Sequence, residues 1–429
     1  MVAYRIKDVN KGNQISNVTH ARGKPLRIGL TIWAFKEGTG GLFRHAEDLV
    51  HELQNLGHEV VVVTRASTFV PQGCDFVFRN EAEEIAWRSG IQIKHLMYSR
   101  ACRPIQWFIA KLQHRCGVGR LATVLYWWQA RASAIRSLRG CDLIHHVGQS
   151  CGLVGYAAAG AAKALGVPFL VQPTIHPNQA GDGALDLRLF RRADRLLVHS
   201  RFEEGYFRRH GYRQPISVVG NGILDRSDGV AHRFRERYGM QGPLVLYVGR
   251  KEPSKGYDLV VQAWVMARRQ MPFLNLVCMG PTSSSARPQA QAGLYDLDFC
   301  DEQTKHDALA ACDCLCVPSE GESFGLIFME AGRYGKPVIA RRLPVLVELL
   351  GDQAALLLGV ETGFNRVAVT AGEVADGMIQ VMNHKALADG LGQNLALVSA
   401  RFLWPCVVVN FVCAYGESLK RGAGEDHYP

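Results

Sequence analysis

Two carboxylates, Glu322 and Glu330, stand eight positions apart within the stretch from Pro318 to Ala340. The apolar run Cys314 to Val317 reads as a buried strand, and the loop Pro318-Ser319-Glu320-Gly321 breaks it. Phe324 to Tyr334 then carries apolar side chains at helical spacing, so a helix is expected to begin near Ser323. The first N–H groups of such a helix, around Ser323, Phe324, Gly325 and Leu326, have no partner inside it, and with the helix dipole they make a phosphate site. Gly325, without a side chain, lets a ligand come close. Eight helical residues rise roughly 12 Å and return to within about 80° of the starting face, which sets Glu330 two turns below Glu322 on nearly the same side. A diphosphate fits between them, with a sugar hydroxyl at one end and a ribose diol at the other. That offset exceeds the roughly 5 to 9.5 Å at which paired carboxylates perform acid/base work on glycosides. Taken alone, the two read as a dipole-complementing neighbour of the helix start and a solvated helix carboxylate.

Cations stand in a matching place. Arg250 and Lys255, in VGRKEPSKGYD, follow the apolar strand Leu244 to Val248 and precede another helical pattern. Two cations at the carboxyl end of a strand can stabilise the charge on a departing diphosphate, the task a metal performs in other transferases. In isolation each reads as a surface cation. Earlier in the chain, Gly38-Thr39-Gly40-Gly41 separates a strand from the helix Leu42 to Leu56, which Gly57 ends. The backbone at Gly40 and Gly41 can approach a phosphate or sugar, although a glycine turn also serves as a plain turn. His45 reads as a residue of the helix face. His176, in LVQPTIHPNQ, follows the strand Pro168 to Val171 and reads either as a turn residue between prolines or as a group on a cleft rim.

The string PSxxESFGxxxxEAxxxGxPVIA resembles the signature of the retaining family 4 glycosyltransferases of GT-B fold. The resemblance implies that Glu322 binds the donor hexose and Glu330 the nucleotide ribose. Three further strings are similar to family motifs in the same order. GGxxRH with LGHEVVVVT looks like the amino-terminal fingerprint, and Arg250 and Lys255 land on the GRxxxxKG motif whose Arg and Lys bind the donor diphosphate. His176 matches a histidine near the reacting sugar, and Asn221-Gly222 matches a turn ahead of the interdomain linker. One segment departs: where the family continues with a Gly-Gly segment and a Glu near the donor, this chain reads RRLPVLVELLGD, with Arg341, Arg342, Pro344 and Glu348. Arg341 or Arg342 there reads as a phosphate contact or as an exposed cation. The implied activity is retaining transfer of a hexose from a UDP- or GDP-linked donor to an acceptor hydroxyl, with no cofactor or metal required. A sugar phosphorylase, a nucleotide-sugar epimerase and a non-catalytic partner on the same fold are the alternatives.

The elements that must hold these residues alternate along the chain. Apolar runs at Leu26 to Trp33, Val60 to Thr64, Asp142 to Val147, Pro168 to Val171, Arg195 to His199 and Ile216 to Val219 form a first series. A second comprises Leu244 to Val248, Leu274 to Met279, Cys314 to Val317, Pro337 to Ala340 and Ala354 to Leu358. Helical patterns between the runs predict parallel sheets covered on both faces, hence an α/β chain of two doubly wound, Rossmann-like domains facing a central cleft. The expected division is a flexible tail over 1–24, an acceptor-binding domain over 25–225, a donor-binding domain over 226–400 and a returning terminal helix with its tail over 401–429.

With 429 residues, 48% hydrophobic and 21% charged, the chain has the composition of a globular protein with two cores. No apolar run approaches the ~20 residues that cross a bilayer, and twelve scattered cysteines suit a reducing compartment, so a cytoplasmic location is expected. Cys312, Cys314 and Cys316 alternate as if on one face of a buried strand, with no second cluster to complete a zinc site. The net charge of +10 points to an acidic partner: a nucleotide, an anionic acceptor or a membrane surface. The basic residues are spread along the chain and resemble no nucleic-acid module, so nucleic acid is not expected. From Arg100 to Arg139, Arg103, Trp107, Phe108, Lys111, Arg115, Arg120, Tyr126, Trp127, Trp128, Arg131 and Arg136 interleave charge with rings. The stretch reads as two helices with aromatic core faces, or as a peripheral contact with the inner face of a membrane or a lipid-linked acceptor; small-molecule and saccharide acceptors fit equally.

Overall fold

A computed structural model of the chain describes residues 24–35, 41–65, 85–88, 90–97, 119–177, 181–282 and 291–422. The tail expected over 1–24, all but its last residue, Gly40 and the basic aromatic residues up to position 118 lie outside the described residues. Among the described residues eight strands build the first sheet: β1 (Arg27–Ile32), β2 (Glu59–Arg65), β3 (Ile85–Arg88), β4 (Ile91–Leu96), β5 (Leu143–Val147), β6 (Phe169–Gln172), β7 (Arg195–Val198) and β8 (Ile216–Val218). Their order is β3-β4-β2-β1-β5-β6-β7-β8, with Ile28 level with Val60 on one side and Leu143 on the other. All pairings are parallel except β3 with β4, an antiparallel edge that leaves no apolar run in the sequence because Ile91–Leu96 alternates with polar residues. Every residue of β5, β6 and β7 is buried, as strands covered on both faces must be. Alternate residues of β2 feed different cores: Val61 and Val63 pack with the helices Gly119–Leu138 and Val154–Leu165, and Val60 and Val62 with the helix Gly41–Asn55.

The second sheet holds β9 (Leu244–Val248), β10 (Asn275–Met279), β11 (Leu294–Leu297), β12 (Cys314–Val317), β13 (Val338–Arg341) and β14 (Leu356–Leu358) in the order β11-β10-β9-β12-β13-β14, all parallel. An antiparallel hairpin of β15 (Val360–Gly363) and β16 (Arg366–Ala368) follows, too short and too exposed to leave an apolar run in the sequence. Two expectations need correction. Cys314 and Cys316 lie in β12, but Cys312 ends the preceding helix Glu302–Ala311, so the three do not share one strand face, although all are buried. The helix expected from Ser323 begins at Leu326, because Gly325 at φ 87° is left-handed and cannot continue a right-handed turn.

The chain crosses between the sheets twice, and the crossings pair. Ile223 N–H donates to the Phe402 carbonyl (2.8 Å), and Trp404 N–H donates to the Ile223 carbonyl (3.1 Å). The last helix, Trp404–Gly422, then lies on the first sheet's helix Gly41–Asn55, adding Trp404, Val407, Val408, Phe411, Ala414 and Tyr415 to that core. Among the described residues no helix is long and apolar enough to cross a membrane. In the described part of the basic aromatic stretch, Tyr126 is buried and Trp128 exposed.

Candidate active site

A cleft of about 390 Å³ opens between the carboxyl ends of the two sheets. In doubly wound sheets this is where ligands bind, because strand ends and helix starts converge there. From the first half come Trp33, Gly41, Leu42, Gln149, His176 and Asn221; from the second come Arg250, Lys255 and the run Glu322 to Ile327.

Lys255 ends the 3-10 turn Pro253–Lys255, and its ammonium donates to Glu322 Oε1 at 2.8 Å and to the Gly321 carbonyl at 3.4 Å. The next residue, Gly256, has φ 72°, and a Cβ there would stand 2.6 Å from the Pro318 carbonyl oxygen. Only glycine brings the turn this close to the loop that carries Glu322. Arg250 is largely exposed and pairs with Glu252 (2.8 Å), while the Tyr247 hydroxyl bonds its carbonyl from within the core. Phe328 N–H is already bonded to Gly325, so the amides the helix leaves open are those of Leu326 and Ile327, which line the cleft. Phe324 is buried and set edge-on against His199 of the first half (6.0 Å) and Phe402 (5.0 Å).

His176 reaches this group from the opposite side. Burial lowers its pKa; Glu322 works against that and Lys255 and Arg250 add to it, so the imidazole is neutral at neutral pH. These couplings place it beside residues about 75 to 150 positions further along the chain.

Glu330 stands apart. It lines a smaller cavity of about 30 Å³ with Arg44, Asp48, Glu302, His306 and the crossing residues Gly222 to Leu224; Leu326 borders both cavities. Its Oε2 accepts from Lys305 at 2.7 Å. Lys305 also meets Glu302 (3.1 Å), which pairs across the cleft with Arg44. Burial alone would raise the Glu302 carboxyl, yet Arg44 and Lys305 hold it at about 2. Because Glu322 lies on the loop rather than in the helix, the uniform two-turn offset between Glu322 and Glu330 does not exist. The pair lines two adjoining cavities instead.

His45, Asn221 and His199 line the cleft in one polar network with buried Gln172, and of the four the motifs include only His45 and Asn221. His45 bonds Asn221 Oδ1 (2.6 Å) and Gln172 Oε1 (2.9 Å), and Gln172 Nε2 meets His199 (2.8 Å). Burial holds His45 neutral, so only one of its nitrogens donates and one of the two amides must present its NH₂. The available signal was position: Gln172 ends β6 and His199 follows β7, polar residues at the carboxyl ends of apolar strands. The departing segment also takes its place. Arg341 is buried and donates to the Pro318 and Val367 carbonyls, Arg342 pairs with Asp352, and Pro344–Leu349 forms a short helix. Among the described residues no group of three His, Cys, Asp or Glu side chains is arranged to hold a metal.

Residues 39–225 match the family described as Glycosyltransferase Family 4, and residues 231–396 match Glycosyl transferases group 1. The D-inositol 3-phosphate glycosyltransferase of Salinispora arenicola is 29% identical over 331 residues, 67% of this chain and 71% of that protein. That of Corynebacterium efficiens is 28% identical over 267 residues, and the match spans 56% of this chain and 61% of the relative. Among solved structures, sucrose-phosphate synthase from Thermosynechococcus elongatus superposes with a TM-score of 0.67 at 19% identity, covering 91% of this chain and 98% of that one. HepE of Anabaena, solved in complex with UDP and glucose, gives 0.66 at 17%, covering 92% and 99%. At these identities the structural likeness is one of fold. Two adjoining family matches and two sheets facing one cleft assign the chain to the family 4, group 1 glycosyltransferases of GT-B fold.

Proposed function

We propose that this glycosyltransferase moves a hexose, with retention, from a nucleoside diphosphate sugar to an acceptor hydroxyl. What supports this reading most directly is the convergence of His176 from one half with Arg250, Lys255 and Glu322 from the other around open helix amides. Arg250, Lys255 and the amides of Leu326 and Ile327 would receive the diphosphate as its charge grows, the moment at which fixed donors and cations lower a barrier. Glu322 would hold the hexose, with Lys255 fixing its carboxylate, and neutral His176 would orient the sugar from above. Glu330 would take the ribose diol in the adjoining cavity, exchanging Lys305 for two hydroxyls.

In the transfer step the bond from the anomeric carbon to the phosphate oxygen breaks and a bond to the acceptor oxygen forms on the same face. The acceptor proton passes to the leaving phosphate. A UDP-linked donor accords with the neighbour solved with UDP and glucose, and a polyol phosphate acceptor accords with the relatives' names. GDP remains within the proposal. Calorimetric titration with UDP, GDP and ADP should give binding by one of the first two. Glu330→Ala should weaken that binding about tenfold through lost charge-assisted bonds to the ribose. Undiminished affinity in the variant removes Glu330 from the ribose site, and no binding to any of the three overturns the donor assignment.

A further inference from the structure

A further junction joins the two halves, separate from the paired crossings at Ile223 and Trp404, and Glu348 of the segment that departs from the family pattern builds it together with the hairpin of β15 and β16. The Glu348 carboxylate accepts the backbone N–H of Arg201 (2.8 Å) and of Phe202 (2.6 Å), the first two residues of the first-half helix Arg201–Arg209. It thereby caps, from the other half, the helix end that favours negative charge. Between β15 and β16, Phe364 stacks on Phe202 (5.8 Å) and Tyr206 (6.3 Å) of the same helix, and the Arg209 guanidinium lies over its ring at 4.6 Å. Asn365, next in the chain, is buried and donates from Nδ2 to the Pro177 carbonyl at 3.1 Å. Its φ of 54° is left-handed, a conformation that asparagine tolerates better than most residues.

The other end of the hairpin is tied to the donor side. Buried Arg341 spans the Val367 carbonyl of β16 (2.5 Å) and the Pro318 carbonyl (3.3 Å), where the loop leading to Glu322 begins. One short hairpin thus connects the Glu322 loop with Pro177, the neighbour of His176.

We propose that Glu348 and the hairpin Val360–Ala368 form a clasp that closes the cleft, and that Asn365 is a positioning residue that sets His176 against the donor loop. The clasp exists only while the halves are together, since Glu348, Phe364 and Asn365 each meet a partner in the first half. Asn365 touches no reacting atom and acts through Pro177 and His176. The positioning role rests on the donor reading above, whereas the clasp itself does not.

Two measurements on the full chain separate the ideas. Without nucleotide, hydrogen exchange of the peptide holding Arg201 and Phe202 should quicken about tenfold in Glu348→Gln, which weakens two charge-assisted bonds. It should quicken similarly in Phe364→Ala, whose ring holds neither amide. Unchanged exchange in Phe364→Ala overturns the clasp. With whichever of UDP-glucose and GDP-mannose the parent turns over or hydrolyses, Asn365→Asp and Asn365→Gly both keep the left-handed residue tolerable but offer no side-chain N–H. They should lower kcat roughly tenfold or more, as misplacement of a positioning group does, with donor KM within about twofold. An unchanged kcat in both variants overturns the positioning role. A parent that binds and processes neither donor overturns the donor reading and the positioning role with it, and exchange at Arg201 and Phe202 still decides the clasp.

Discussion

Burial sets the protonation of the histidines around the cleft more than pairing does. His176, His45 and His199 are all pushed toward the neutral form by desolvation, which leaves Arg250 and Lys255 as the cations among the described residues lining the larger cleft. The same force acts on Glu203, a buried carboxyl that accepts N–H bonds from His199 (2.8 Å) and Ile175 (3.4 Å) and so props the segments bearing His199 and His176. Burial raises it to about 7 from an ordinary 4.5, against the pull of those two bonds. Between these values the folded chain binds more protons here than the unfolded one, so Glu203 lowers stability as pH rises through that window. The accumulated difference is on the order of 3 kcal/mol. The Tm of the parent, measured from pH 4.5 to 7 against Glu203→Gln, should therefore fall more steeply than that of the variant. Parallel curves would show that Glu203 titrates as it does in the unfolded chain. The motif residues Glu322, Arg250 and Lys255 were legible because their types and spacing are local. The pairs Arg44–Glu302 and Lys305–Glu330 were not, since an ion pair between separate segments leaves no spacing to read.

At the scale of elements, apolar runs located eleven of the strands to within about two residues at either end, since strands largely buried on both faces are mostly apolar. Exposed or alternating strands, such as β3 and β15, escaped because nothing distinguishes them from loops. The helix Leu326–Arg333 shows where periodicity misleads: Phe324 is apolar because it packs on His199 and Phe402, not because it belongs to the helix face. Gly256 and Gly57 separate two demands on a turn. Both have left-handed φ, 72° and 89°, but a Cβ at Gly57 meets nothing within 4 Å, while one at Gly256 meets the Pro318 carbonyl. Gly57→Ala should cost about 1 kcal/mol from backbone strain alone. Gly256→Ala should cost at least about 2 kcal/mol more and loosen Lys255 from Glu322. Denaturant melts giving equal losses for the two would mean that the turn can move away from Pro318.

Across the whole molecule, the two halves share more than a linker. Trp404 is buried where the chain returns, and a Cβ at Gly222 would stand 2.2 Å from its ring, so the outgoing and returning crossings interlock. The core that Trp404 joins belongs to the first sheet, although the residue lies near the end of the chain. Trp404→Ala should cost about 3 to 5 kcal/mol and fall mainly on the first half. Calorimetry should then show a lower-temperature transition splitting from the rest, and an unshifted single transition would mean that the crossing contributes no stability. By itself the sequence determined the class of fold, the two series of strands and the motif residues that the cleft collects from the second half. Those follow from hydrophobic period and from glycine and charge at fixed local spacing, which the chain carries wherever it goes. Only the tertiary structure decided that Glu330 lines a cavity of its own, that buried Gln172 joins the cleft residues His45 and His199, and that Glu348 and Asn365 reach across to the other half. Each of these is a contact between segments tens to hundreds of residues apart, and its partner is chosen by how the two sheets pack, a geometry that no local spacing encodes.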